Sequence, residues 1–157
     1  MNWGYWLLGL LAGLGIPVQA AINARLGATL GAQPLMAALV SFSVGALTLG
    51  LVGLLVADWH AAQAGFGQMG LGDCWKFLGG VLGAFFVFVS IFLAPKIGVT
   101  AMVFLLIIGQ LGMGMILDSF GLIGLPVQPL HWTKYAGLAL MLAGVVVFNF
   151  GKTWFKS

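Results

Sequence analysis

Few side chains in this sequence are equipped for chemistry. The densest group lies in Gly15-Ile16-Pro17-Val18-Gln19-Ala20-Ala21-Ile22-Asn23-Ala24-Arg25. Gln19 and Asn23 are four residues apart, so on a helix both amides share one face, one turn from each other. Pro17 has no N–H, which leaves the carbonyl of Gly13 without its helical partner, and a kink or local opening is expected there. Two amides in an apolar segment must turn toward protein, because lipid offers no hydrogen bonds. A broken helix that offers amides and free carbonyls is one way membrane transporters build a substrate site. The same two amides would also serve as structural glue by bonding to neighbouring helices.

Gln110 is the next candidate, set between glycines in Ile108-Gly109-Gln110-Leu111-Gly112-Met113-Gly114. It reads as a substrate contact or as a single interhelical hydrogen bond. The sequence has no Glu, so Asp58, Asp73 and Asp118 are its whole carboxylate inventory. Proton coupling usually needs an acid within the membrane. Asp118, at the end of an apolar run, is the candidate for ion or proton coupling, against a plainer role at a helix end. Phe85, Phe88 and Phe92 recur at helical spacing and offer an aromatic wall, with Phe85 taken as a substrate contact, or else ordinary packing. His60 and His131 each adjoin a Trp, with no Cys or acid beside them, a poor ligand set that calls for no metal and no cofactor. Ser41, Ser43, Ser90 and Thr100 read as isolated hydroxyls that bond their own helix backbone. No nucleophile arrangement or phosphate loop is present, which argues against an enzyme. The lone Cys74 excludes an intrachain disulfide and reads as a small packing residue.

The elements that position these residues follow from a shortage of charge. Of 157 residues, 62% are apolar and only 6% are charged, against about 25% in an ordinary soluble domain. Such a chain cannot cover a water-facing surface, so its solvent is lipid. Charge-free runs cover residues 1–24, 26–57, 77–95, 97–117 and 135–151. A helix needs about 20 mostly apolar residues to cross a bilayer. The expectation is an all-α integral membrane protein, one domain over 1–157, with five spans near 3–24, 34–57, 75–94, 97–117 and 134–151. The stretches 59–72 and 119–133 read as loops, and Pro95-Lys96 as the break between spans three and four. Continuous apolar runs argue against a β-barrel, which alternates apolar and polar residues. Trp3, Trp6, Trp59, Trp75, Trp132 and Trp154 all fall at span ends, where indole rings favour the headgroup region. Val18-Gln19-Ala20 mimics a leader cleavage site, but no basic residue precedes the apolar run, so the segment reads as a retained helix. The net charge of +3 is spread over span ends without a basic patch, which argues against nucleic acid as a partner.

An odd span count puts the termini on opposite sides. Arg25, Lys96, Lys152 and Lys156 fall on the C-terminal side, Lys76 and Lys134 on the other. Positive charge favours the cytoplasm, so the C-terminus is weakly biased inward, and insertion both ways, or a partner of opposite orientation, is compatible with the count. Glycine is abundant, 25 residues, about twice the usual share of roughly 7%. Small residues repeat every four positions, as in Gly79/Gly83 and Gly80/Ala84, a pattern that lets membrane helices approach closely and suggests dimerisation.

Pro17-x-Gln19-x-x-Ile22-Asn23-Ala24-x-Leu26-Gly27, followed by Ala37-Ala38-Leu39-Val40-Ser41-Phe42-x-Val44-Gly45, resembles the opening of the YdcZ-type five-helix inner-membrane exporters of the drug/metabolite transporter superfamily. Leu78-Gly79-Gly80-Val81-Leu82-Gly83-Ala84-Phe85, Leu93-Ala94-Pro95-Lys96-Ile97-Gly98 and Gly109-Gln110 are similar to that family, and the resemblance extends through Gly137–Val145. It implies half of a ten-helix inverted-repeat bundle, completed by an antiparallel second copy or a paralogue, in the bacterial inner membrane. It also implies a small-molecule exporter working by alternating access. The superfamily's four-helix multidrug antiporters carry a Glu in the first span. Here that helix offers Gln19 and Asn23, so proton exchange by that route is not expected. The sequence thus predicts a small-molecule transporter with Gln19, Asn23 and Gln110 as polar contacts and Pro17 shaping the opening. The competing reading is a non-transporting assembly or regulatory subunit of the membrane.

Overall fold

A computed structural model describes residues 3–154, and they are helical with no strand among them. The helices are α1 (Trp3–Thr29), α2 (Pro34–Val56), α3 (Trp59–Gly67), α4 (Leu78–Ile97), α5 (Val99–Phe120) and α6 (Trp132–Trp154). Short 3-10 turns at Leu71–Phe77 and Leu122–Gly124 precede α4 and follow α5. Five of the helices, α1, α2, α4, α5 and α6, are long and apolar enough to cross a membrane. The five expected spans are therefore present. Lys156, counted above among the basic residues, lies outside the described residues.

Three boundaries differ from expectation, each for a local reason. α1 continues to Thr29 and passes through Pro17 without a break. A proline inside a helix removes one backbone bond, and a membrane helix tolerates that loss where neighbouring groups re-satisfy the carbonyl. α1's 27 residues extend about 40 Å, more than the roughly 30 Å of hydrocarbon, so its ends reach the headgroups. α4 likewise runs through Pro95 and Lys96 to Ile97. The turn comes at Gly98, whose φ of 84° suits a residue without Cβ. The stretch expected as a loop after span two contains α3. Its N-terminus is capped by Asp58, whose carboxylate accepts from the Ala61 N–H at 3.0 Å, and capping acids of this kind start short helices.

The chain divides into two compact units, the first ending at Lys96 and the second beginning at Ile97. In the first, α1 and α2 form an antiparallel hairpin. Asn23 meets Ser41 and Gly27 meets Ala37, so position rises along one helix as it falls along the other. The turn between them closes with the Gln33 N–H donating to the Gly27 carbonyl at 3.1 Å. The buried centre is made of small residues, Ala20, Asn23, Gly27, Ala37, Ala38, Ser90 and Ala94, with Ile91 as the one large member. Leu26, Val87 and Phe88 pack around Ala37, Ala38 and Ile91. A Cβ built at Gly27 would lie 3.5 Å from Ala37 Cβ and 3.6 Å from Ile91 Cγ2. Close backbone approach of this kind is how membrane helices gain contact without a hydrophobic driving force.

In the second unit α5 and α6 form their own antiparallel hairpin. The rings of Phe104 and Phe148 are 5.1 Å apart at one end, and Asp118 faces Lys134 at the other. The Gln128 N–H donates to the Asp118 carbonyl at 2.8 Å, tying the connecting segment back to the end of α5.

Candidate functional site

Gln19 and Asn23 do share a face, and the structure brings both onto one seam. With Ile16 and Ala20 they face Phe86, Val87, Ser90 and Ile91 of α4 across a cavity of about 10 Å³. That is room for about one water molecule. The two amides differ in their commitments. Asn23 is buried and its Nδ2 donates to Ser41 Oγ at 3.0 Å. Gln19 is exposed and has no hydrogen-bond partner among the described residues. Ser90 donates back to the Phe86 carbonyl at 2.7 Å, and Ser43 to that of Leu39 at 2.9 Å. Self-bonding thus holds for those two hydroxyls, while Ser41 instead takes the interhelical bond. Pro17, half-buried in α1, stands two residues before Gln19.

Gln110 and Asp118 come together in the second unit. They line a groove of about 550 Å³ with Leu111, Gly114 and Met115 from α5 and Lys134, Gly137, Leu138 and Met141 from α6. Gln110 sits at the middle of α5, exposed, and has no hydrogen-bond partner among the described residues. Asp118 Oδ2 is 3.9 Å from Lys134 Nζ, and both side chains are about 40% exposed (40% and 41%). At that distance and exposure the pair is worth at most about 1 kcal/mol.

Phe85 stands apart from these residues, 65% exposed on the surface of α4. The phenylalanine beside Gln19 and Asn23 is Phe86. Phe88 and Phe92 stack with centroids 6.2 Å apart, and they border a different groove near the α1–α2 turn. Sequence reasoning gave Ser41 a bond to its own helix and did not pair it with Asn23, and it did not place the self-bonded Ser90 beside the two amides. The signal for Ser41 was available: a tight turn around residues 30–33 places residue 41 level with residue 23 in an antiparallel hairpin. Lys134 was counted as a charge and not seen as the counter-ion of Asp118.

Residues 4–147 match the family described as "Putative inner membrane exporter, YdcZ". The chain belongs to the YdcZ family. It is 30% identical over 134 residues to "Inner membrane protein YdcZ" of Escherichia coli (strain K12), covering 85% of this chain and 86% of that protein. No solved structure matches it. With five apolar helices long enough to span, this YdcZ-family chain is a multi-pass protein of the inner membrane. The family's description supports a role in membrane transport over an enzymatic one.

Proposed function

We propose that this YdcZ-family protein exports a small molecule by alternating access, as an antiparallel pair formed with itself or with a paralogue. The observation that carries the reading is the state of the two amides. Gln19 and Gln110 lie deep in membrane helices, exposed and with no hydrogen-bond partner among the described residues, whereas Asn23 is buried and bonded. Leaving an amide unsatisfied against hydrocarbon costs several kcal/mol. Such groups are retained where they meet a polar ligand or a partner subunit. Gln19 and Gln110 are accordingly assigned to the substrate and Asn23 to holding α1 against α2, with Pro17 keeping one backbone carbonyl of α1 free of its helical bond. Asp118, which shares the groove of Gln110, is assigned to ion coupling. Phe85 is retained as a substrate contact, its site completed by the paired copy, since its own unit leaves it exposed.

A screen of small molecules for thermal stabilisation of the detergent-purified protein supplies the ligand, and Gln19→Leu and Gln110→Leu supply the test. Both variants are expected to fold with an unchanged or raised Tm, to lose stabilisation by the molecules that protect the wild type, and to fail to move them in liposomes. Wild-type stabilisation and transport in both variants would overturn the assignment. Asp118→Asn is expected to keep ligand binding and lose transport driven by an ion gradient.

A further inference from the structure

Lys96 is a cation with no counter-ion among the described residues. Its Nζ lies 4.6 Å from the centroid of the Phe92 ring, and it forms no ion pair among the described residues. The lysines at the opposite ends of spans are matched: Lys76 with Asp73 at 2.6 Å and Lys134 with Asp118 at 3.9 Å. By span order all three aspartates belong to that opposite side of the membrane, so none is placed to neutralise Lys96.

Lys96 lines a groove of about 700 Å³ in the first unit, together with Ala28, Gln33, Leu35, Phe88 and Phe92. Phe88, Phe92 and Lys96 follow one another at four-residue spacing on α4. The groove therefore grades from aromatic wall to cation along a single helix face as that helix approaches the headgroup region. We propose that this groove binds an anionic phospholipid, its acyl chain along Phe88, Phe92 and Leu35 and its phosphate at Lys96. Charge complementarity decides the occupant. No described residue offers the counter-charge, and a lipid supplies it at headgroup depth on a molecule with an apolar body. Basic pockets at the ends of membrane helices recognise anionic headgroups in this manner. A soluble anion would satisfy Lys96 but leave the aromatic wall uncovered.

The test uses the full chain in detergent micelles, with phosphatidylglycerol, phosphatidylcholine and inorganic phosphate as probes and native mass spectrometry as the readout. One interfacial lysine is worth about 1 kcal/mol toward an anionic surface, so phosphatidylglycerol is expected to be retained about five-fold better than phosphatidylcholine. Lys96→Gln should remove that preference, Lys96→Arg should keep it, and Lys152→Gln should leave it unchanged. Equal retention of the two lipids, or an undiminished preference in Lys96→Gln, would overturn the proposal. Displacement of phosphatidylglycerol by millimolar phosphate would also overturn it, by assigning Lys96 to a soluble anion. Should Lys96→Gln fail to fold, a photoreactive phosphatidylglycerol on the wild-type chain gives the answer. Crosslinks within residues 88–96 support the site, and crosslinks confined to other segments reject it.

Discussion

A hydrogen bond between side chains of two membrane helices is worth about 0.6 kcal/mol on average and at most about 1.7. The Asn23–Ser41 bond is 3.0 Å long, with Asn23 buried, and should fall in that range. A double-mutant cycle of Asn23→Ala and Ser41→Ala, read by reversible unfolding in detergent, is expected to give a coupling of about 1 kcal/mol. A coupling indistinguishable from zero would show that the two residues act separately. The contrast with Gln19 shows what one sequence can and cannot reveal. Spacing put both amides on one face, and the fold agrees. Which of them is already bonded depends on the residue opposite, and that is set by where the α1–α2 turn places α2. The same limit applies to Phe85 and Phe86. Helical spacing identified an aromatic stripe on α4, yet one residue along a helix is a rotation of about 100°, enough to move a ring from seam to surface.

At the scale of elements, the spans were legible because charge is so scarce that each charged residue punctuates the sequence. The helix ends were less legible, because Pro95 was read as a stop. It lies inside α4, as Pro17, read as a kink or local opening, lies inside α1, and the α4–α5 turn is made by Gly98 instead. α3 was missed because nine residues are too few to register as a span, although Asp58 ahead of it was a usable cap signal. Packing of the first unit depends on how closely α1 can lie against α2 and α4, and Gly27 sets that approach. A methyl group added there would meet Ala37 and Ile91 at 3.5 and 3.6 Å, ordinary contact distances. Gly27→Ala is therefore expected to raise stability by up to about 1 kcal/mol, through the better helix propensity of alanine. Gly27→Leu has no space and is expected to cost about 1–3 kcal/mol by overpacking. Unfolding midpoints in detergent check both, and an equal loss in the two variants would mean that the backbone itself, not the space beside it, requires glycine.

At the scale of the whole molecule, the open question is the number of orientations. The proposed pair inverts one copy relative to the other, the arrangement by which inverted repeats place a substrate between two halves. Cys74 is a native reporter of it. It is the sequence's single cysteine, exposed, and set in the 3-10 turn just before α4, on the same side of the membrane as the start of α1. A membrane-impermeant thiol reagent added to intact cells reaches only copies whose Cys74 faces outward. In cells expressing this chain and no paralogue, a self-paired antiparallel dimer is expected to label at about half of its copies. Permeabilising the cells should bring the remainder into reach. The basic residues pull against an even split, since the C-terminal side carries more of them and positive charge favours the cytoplasm. Moving Lys76 and Lys134 to Gln should accordingly drive labelling toward completion and lower transport as inverted copies become scarce. Complete labelling of the unmodified chain with transport intact would overturn self-pairing, because every copy would then point the same way and still work. Complete labelling with transport restored only by an oppositely oriented paralogue would assign the second half of the bundle to that paralogue.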